Sequence, residues 1–600
     1  MPPATWEVTS AVTGAFFAAL VDAGVAHAVV SPGSRSAPLA VAALRAEAAG
    51  LRLWPHAEER AAAFFALGLA KAGRGPVALV CTSGTAAANY LPALVEAFFA
   101  NVPLVAITAD RPPELRGWDA GQTIDQQRLY GSHVRWFTEL PLPEPGEAAL
   151  RHARAVARRA VSMALGRPAG PVHLNWPLRE PLSPPAEAAA SRAPAKHPSG
   201  VPPAHAGAHA IARTPAPSPT EAEVAWLASL ALRCPRGVLA AGPLDPDPLL
   251  AESVAAFAAA SGWPVLADPA SQLRCGPHVR GAPILASGDL LLRDAGFASA
   301  HAPQVVLRFG ATPTSRALRS WLEASPPETL VLLDPDARWS DPSHLATHRL
   351  AVDPAALLSA AAARLAPRAR TDWAGAFARA EAAAQTALAR ALDRAPELGE
   401  ARAVRELAEL LPEGATLYAS NSMPVRDLDA FLPRSERSLR VLVNRGANGI
   451  DGLCSSALGA AAAGGGPVVL LAGDLAFLHD LAGLAVAKRF GLKVLFAVLD
   501  NDGGGIFSLL PIAAHAEAVG FERLFRTPHG LPLERAGALF DLPATRARSW
   551  AELRAAVKEW LAGDGPAIVV LPIDRDANLA QFRALVAEVG SAARGAAGAA

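Results

Sequence analysis

Short, continuous apolar runs that end in turn residues alternate with Ala-rich stretches of helical pattern along the whole chain. The runs fall at 28–31, 77–82, 104–108 and 172–175, then at 238–241, 305–309 and 330–333, and finally at 468–472, 494–499 and 567–571. A strand apolar at every position is buried on both faces, and a parallel sheet with helices above and below supplies that environment. The predicted class is therefore α/β, built from parallel sheets flanked by helices. Six hundred residues are too many for one hydrophobic core, so two to four domains are expected.

The seams are compositional. Ten prolines lie between Pro181 and Pro219 among Ala, Ser, His and Gly, without hydrophobic periodicity. Such a stretch reads as a semi-rigid linker. The pattern over 372–393 is helical, and 396–399 interrupts it before another helix starts. These seams predict domains at 1–180, 220–366 and 395–585, a linker at 181–219, a connecting helix within 367–394 and a flexible Gly/Ala-rich tail at 586–600. The first and last domains share a similar strand rhythm.

Lys and Arg together number 55, as do Asp and Glu, so the basic excess of a nucleic-acid binder is absent. Cys81, Cys234, Cys275 and Cys454 are scattered, with no paired spacing and no histidine at metal-ligand distance. They read as small buried hydrophobes in a reducing compartment. The first residues suggest an amphipathic helix rather than a signal peptide. No apolar run reaches the roughly 20 residues of a membrane span, and a cytoplasmic protein is expected.

One apolar run ends in Gly473-Asp474 and another in Asp500-Asn501-Asp502-Gly503. Asp474 and Asn501 stand 27 positions apart, about one strand–helix–strand crossover. Both are thus predicted at the carboxyl ends of parallel strands, where α/β sheets bind ligands. A carboxylate, an amide oxygen and a carbonyl after a Gly-rich turn form a hard oxygen set suited to magnesium. The glycines also let backbone N–H groups approach a diphosphate. The spacing resembles the signature of thiamine-diphosphate enzymes, with Leu475 where a small residue is usual.

Upstream, Glu58 and Glu59 precede an apolar helix. A carboxyl group at the edge of such a helix is desolvated, which raises its pKa. Thiamine chemistry requires such an acid, to hydrogen-bond the aminopyrimidine ring and favour its imino tautomer. The resemblance points to Glu59, and the neighbouring Glu58 leaves the assignment open. The coenzyme is the nucleophile and electron sink, so no Ser/His/Asp triad is needed. Arginines also recur in turn-rich loops predicted at strand ends, at Arg35, Arg111, Arg426 and Arg445. A guanidinium fork grips carboxylates bidentately, so the set suggests a site for several carboxylates.

Segments 31–36, 82–86, 108–113, 421–426, 444–452 and 501–511 together resemble one branch of the thiamine-diphosphate enzymes, the 2-succinyl-5-enolpyruvyl-6-hydroxy-3-cyclohexene-1-carboxylate synthases of menaquinone biosynthesis. The likeness runs through the first and third domains and thins in the middle one. It implies pyrimidine-binding, central and diphosphate-binding domains. Glu59 becomes the catalytic acid, and Asp474, Asn501 and the Gly503 carbonyl become ligands of magnesium or manganese. Ser422, Ile450, Gly473, Ile506 and Phe507 would contact the cofactor. Ser34, Arg35, Arg111, Gln122 and Arg316 match substrate-binding positions, as do Ser422, Arg426, Arg445, Phe507 and Leu510.

The implied reaction decarboxylates 2-oxoglutarate and adds the succinyl carbanion equivalent to isochorismate, in a homodimer or dimer of dimers. Departures from the pattern are Asp502 near the diphosphate, Ala317 after Arg316, and Gly121 before Gln122. The rival readings are an acetolactate-type carboligase, a non-catalytic relative acting as a binding subunit, and a nucleotide-binding middle domain. The last lacks a G-x-G-x-x-G turn.

Overall fold

A computed structural model describes residues 5–185, 211–366 and 371–598. Most of the expected linker, 186–210, lies outside the described residues, as do 367–370. The described residues form three six-stranded sheets, and every strand pairing is parallel. The α/β class read from the apolar runs is borne out.

The first sheet holds β1 (His27–Val30), β2 (Arg52–Pro55), β3 (Val77–Cys81), β4 (Leu104–Asp110), β5 (Trp136–Glu139) and β6 (Val172–Pro177), in the order β2-β1-β3-β4-β6-β5. The second holds β7 (Gly237–Ala241), β8 (Val265–Ala267), β9 (Ile284–Leu285), β10 (Val305–Phe309), β11 (Thr329–Leu333) and β12 (His348–Leu350), in the order β12-β11-β10-β7-β8-β9. The third holds β13 (Thr416–Ala419), β14 (Arg440–Val443), β15 (Val468–Gly473), β16 (Val494–Asp500), β17 (Ala544–Arg546) and β18 (Ala567–Pro572), in the order β14-β13-β15-β16-β18-β17.

Counted from its own first strand, the third sheet repeats the first, which accounts for their shared rhythm. In both, the strand order reverses beside the first strand, between β1 and β3 and between β13 and β15. Loops leaving the carboxyl ends of those strands diverge there and open a crevice. The loops after β1, β13 and β15 carry Arg35, Ser422 and Asp474. The central strands β3, β4, β6, β7, β10 and β16 are buried at every residue, as the apolar runs require. Edge strands such as β5, β12 and β17 are partly exposed and lack a continuous apolar run.

The chain packs as two compact units. One comprises Met1–Pro215 with Asn444–Gly464 and His479–Leu492; the other comprises Ala216–Val443, Gly465–Leu478 and Lys493–Ala600. In the first unit the helix Leu453–Ala462 lies against the helix Glu59–Gly73 so closely that a Cβ on Gly459 would sit 1.9 Å from the Phe65 carbonyl oxygen. In the second unit one apolar core runs between the second and third sheets, from Leu290 and Trp321 to Val404 and Val469. Buried Arg274 crosses that core, donating to the Leu428 and Asp429 carbonyls and pairing with the Asp429 carboxylate at 2.7 Å.

The helix Asp372–Asp393 forms where the pattern predicted one. The tail expected to be flexible is instead helical as far as Ala597, within the helix Arg575–Ala597. Its Leu585, Val589 and Ala593 are buried in the shared core, and Arg379 donates to the Ala596 carbonyl at 3.0 Å. Alanine favours helix, and the buried stripe supplies the packing that an isolated helix lacks. No helix among the described residues is long and apolar enough to cross a membrane.

Candidate active site

In the first unit, Glu58 and Glu59 straddle a helix start. Glu58 is the N-cap, and its carboxylate accepts the N–H groups of Arg60 (3.1 Å) and Ala61 (2.7 Å). Glu59 occupies the first helical turn, half-buried and outside the cap. Burial pushes its carboxyl pKa up, and the Glu58 charge adds to the rise.

Arg35 follows β1 and is buried, donating to the Leu178 carbonyl at 2.8 Å. Arg111 follows β4; it donates to Ser83 Oγ and to the Gly121 carbonyl, both at 3.0 Å. Gln122 donates to the Ser83 carbonyl at 2.9 Å. Burial, and next the Arg111 charge, pull the Arg35 pKa down, while Glu180, 3.7 Å from Arg35 Nη2, and Asp110 oppose the shift. Ser34 and Gln122 are exposed. The Arg111 backbone is pinned from below, because Asp110 accepts its N–H at 2.7 Å and also receives Arg116 and Asn175.

The loop after β14 carries Arg445 and Ile450. Glu96, buried on the helix Leu91–Ala100, accepts the N–H groups of Gly446 (2.8 Å) and Ala447 (2.6 Å). A Cβ on Gly446 would meet the Glu96 carbonyl at 2.5 Å, so glycine is required for this approach.

In the second unit, Asp474 is 2% exposed. Its carboxylate accepts the Leu475 N–H (2.6 Å) and the Gly503 N–H (2.8 Å), and it lies 3.3 Å from His529 Nε2. Burial raises its pKa, and those donors oppose the rise. Asn501 donates through Nδ2 to Glu400 Oε1 at 3.0 Å, while its Oδ1 is buried with no hydrogen-bond partner among the described residues. Gly503, at φ +131°, packs against Arg526; a Cβ there would sit 2.0 Å from the Arg526 carbonyl oxygen. Its own carbonyl accepts the Gly505 N–H at 2.9 Å.

Ser422 precedes the helix Met423–Phe431 at φ +71°, and Arg426 donates to its carbonyl. Gln122, Ser422, Asn448 and Asp502 all hold positive φ without being glycine. That costly conformation recurs in these predicted site loops. Ile506, Phe507 and Leu510 lie half-buried in the short turns after Gly505. Arg316 is exposed at the start of the helix Arg316–Ala324, the one predicted substrate residue carried by the second sheet.

Comparison with known proteins settles the family. The family model "Thiamine pyrophosphate enzyme, N-terminal TPP binding domain" matches residues 11–129, "Middle domain of thiamine pyrophosphate" matches 219–419, and "Thiamine pyrophosphate enzyme, C-terminal TPP binding domain" matches 432–571. The chain is 45% identical over 579 residues to the 2-succinyl-5-enolpyruvyl-6-hydroxy-3-cyclohexene-1-carboxylate synthase of Geobacillus kaustophilus, covering 96% of this chain and 97% of that one. It is 44% identical to the protein of the same name from Myxococcus xanthus, with 95% of each covered. The chain belongs to this synthase family. A solved benzoylformate decarboxylase from Polynucleobacter necessarius shares the fold, with a TM-score of 0.67 at 18% identity over 94% of this chain and 98% of that one.

Membership of the synthase family makes the chain a thiamine-diphosphate-dependent enzyme. The residues present suit the divalent cation such cofactors bind with: a buried carboxylate, and a buried amide oxygen that has no other partner. Reading the sequence for synthase features missed Glu400, His529 and Glu96. Glu400 follows the interruption at 396–399 with no motif around it, and His529 stands 28 residues beyond Asn501 in an irregular segment. Asp474, Asp500 and His529 nonetheless present ligand atoms within 4.8 Å of one another. The cysteines are free; Cys81, Cys275 and Cys454 are buried, and Cys234 is half-exposed.

Proposed function

We propose that this chain decarboxylates 2-oxoglutarate and joins the remaining four-carbon unit to isochorismate, forming 2-succinyl-5-enolpyruvyl-6-hydroxy-3-cyclohexene-1-carboxylate for menaquinone biosynthesis. The observation that carries the reading is the gathering of Arg111 and Gln122 on Ser83, with Arg35 near enough to feel the Arg111 charge, in the unit that also holds Glu59 and Arg445. Two acids with four carboxylates between them need several such anchors, and an enzyme handling one small monoacid needs fewer. The names of the relatives point the same way.

When bound, thiamine diphosphate supplies a carbon nucleophile and an electron sink. Glu59 is assigned the hydrogen bond to the aminopyrimidine ring, and burial raises the pKa of its carboxyl. Asp474, Asn501 and the Gly503 carbonyl would hold magnesium or manganese, with Gly473 and Ser422 beside the cofactor. Ile450, Ile506, Phe507 and Leu510 offer apolar surface that excludes water. Ser34, Arg316, Arg426 and Arg445 join the Arg35 group in holding carboxylates.

Segments 1–180, 220–366 and 395–585 then act as pyrimidine-binding, central and diphosphate-binding domains. The assembly is taken as a cytoplasmic homodimer or dimer of dimers, which sedimentation of the purified chain tests. Incubation with both acids, thiamine diphosphate and magnesium should give product only when all four are present. In Glu59→Gln, product formation should fall about 100-fold or more while thiamine diphosphate affinity changes little. Near-normal turnover would remove Glu59 from the mechanism.

A further inference from the structure

Arg526 is a cation that nothing above uses. It lies at the end of the irregular helical turn Glu522–Arg526, only 3% exposed. Its Nη1 donates to Ser508 Oγ at 2.9 Å, while Nε and Nη2 are buried and meet no acceptor among the described residues. Leaving charged donors unpaired in the interior is costly, and native proteins avoid it unless a ligand or water completes them.

The two open donors are not an arbitrary pair. Nε–H and Nη2–H share one edge of the planar guanidinium and point the same way, forming the fork that takes both oxygens of a carboxylate side-on. Ser508 occupies the remaining nitrogen and fixes which edge stays open.

Arg526 lines a cleft together with Asn501, Ser508, Arg575 and Asn578. Burial, and next the Arg575 charge, pull the Arg526 pKa down, while Glu522, Asp576 and Asp474 oppose the shift. The acids nearby are already engaged. Glu522 pairs with Arg575 at 2.9 Å. Glu400, on the cleft wall, accepts from Asn501 Nδ2 at 3.0 Å, and its backbone N–H donates to Asn578 Oδ1 at 3.0 Å.

We propose that Arg526 is a carboxylate-binding residue, its Nε–H and Nη2–H gripping one carboxylate of a small organic acid in the cleft beside Asn501. This deepens the function proposed above and rests on it for one point only, that the acid is a reactant. The same chemistry serves a second acid that occupies the cleft without reacting.

The test is calorimetric titration of the full chain with succinate, a dicarboxylate that cannot be decarboxylated, and separately with inorganic phosphate. Saturable succinate binding that weakens about tenfold or more in Arg526→Lys is expected, because lysine keeps the charge and loses the fork. Since a buried lysine can disturb folding, Ser508→Ala is measured beside it. That variant removes only the oxygen holding Nη1 and should weaken succinate with an unchanged thermal transition. No saturable binding to the wild type, equal binding to wild type and Arg526→Lys, or phosphate binding tighter than succinate overturns the site. Displacement of succinate by 2-oxoglutarate, with a raised KM and steady kcat in Ser508→Ala, supports it as the anchor of a reacting acid. Simultaneous binding of both supports it as the anchor of a second acid. A wild type that binds succinate through Arg526 yet forms no product overturns the proposed reaction and leaves this site standing.

Discussion

Glu58 and Glu59 have opposite fates because one stands just outside a helix and the other just inside it. Glu58 spends its charge on the two N–H groups at the helix start, whereas Glu59 keeps a carboxyl with a raised pKa. A comparable contrast marks Asn501, whose amide has a definite orientation only because Glu400 accepts from its nitrogen. Asp427 is fully buried near Glu400, and its pKa is driven far upward by burial and next by the Glu400 charge. Glu400→Gln presents a donor where an acceptor stood and allows the Asn501 amide to turn. Mn²⁺ affinity, read by electron paramagnetic resonance with thiamine diphosphate present, should fall about 10- to 100-fold. On an Asn501→Asp background, whose side chain has no orientation to lose, the same change should cost nothing further; an equal loss on both backgrounds would make Glu400 a general structural residue.

Asp480 gives a pH-dependent prediction at the same scale. Burial lifts its pKa to about 7, against the lowering effect of the Ser455 N–H and hydroxyl. The folded form therefore holds a proton that the unfolded chain has lost, and the stability Asp480 contributes is present at low pH and lost as pH rises toward 7. Buried His27 and His56, lowered to about 4, act oppositely, because the unfolded chain binds protons there first. Comparing Asp480→Asn with wild type cancels the histidines. The mutant's relative stability should climb with pH between about 4 and 7, by at most roughly 1.4 kcal/mol per pH unit. A difference that stays flat in urea titrations across that range would refute the assignment.

At the scale of elements, two glycines in helices illustrate opposite uses of a missing side chain. Gly459 lets the helix Leu453–Ala462 close on the helix Glu59–Gly73, with backbone where a Cβ would fall. Gly459→Val forces the helices apart and should cost about 3 kcal/mol, seen as a lower urea midpoint. Gly14, inside the helix Trp6–Asp22, has nothing within 4 Å of its would-be Cβ. Gly14→Ala should instead stabilise by about 0.4–1 kcal/mol, because the unfolded chain loses freedom and the folded chain meets no clash. If both changes shift the midpoint in one direction, the close approach of the helices is not what Gly459 serves.

For the whole molecule, binding and stability are linked. Thiamine diphosphate binds the folded chain, so at 100 times its Kd it should add about 2.7 kcal/mol of stability. Calorimetric scans should show a transition moving upward with thiamine diphosphate and magnesium together, and much less with either alone. Asn501→Ala, which removes a buried amide oxygen that has no hydrogen-bond partner among the described residues, should abolish most of that shift. An unchanged shift in that variant would place the cation elsewhere, with the group of Asp474, Asp500 and His529 as the alternative ligand set.

What the sequence determined by itself was whatever depends on local pattern: buried parallel strands from unbroken apolar runs, the helix Asp372–Asp393 from its period, and Asp474 and Asn501 at strand ends from one crossover of spacing. The family likeness was legible for the same reason, since its motifs are contiguous. Tertiary structure alone decided that Glu400 orients Asn501, that Glu96 grips the loop after β14, and that the chain stays helical to Ala597. Each of these depends on a partner dozens or hundreds of residues away, or on a packing face that appears only once the sheets are assembled. No periodicity records such a pairing, because the energy that selects it comes from burial, which a linear chain does not yet have.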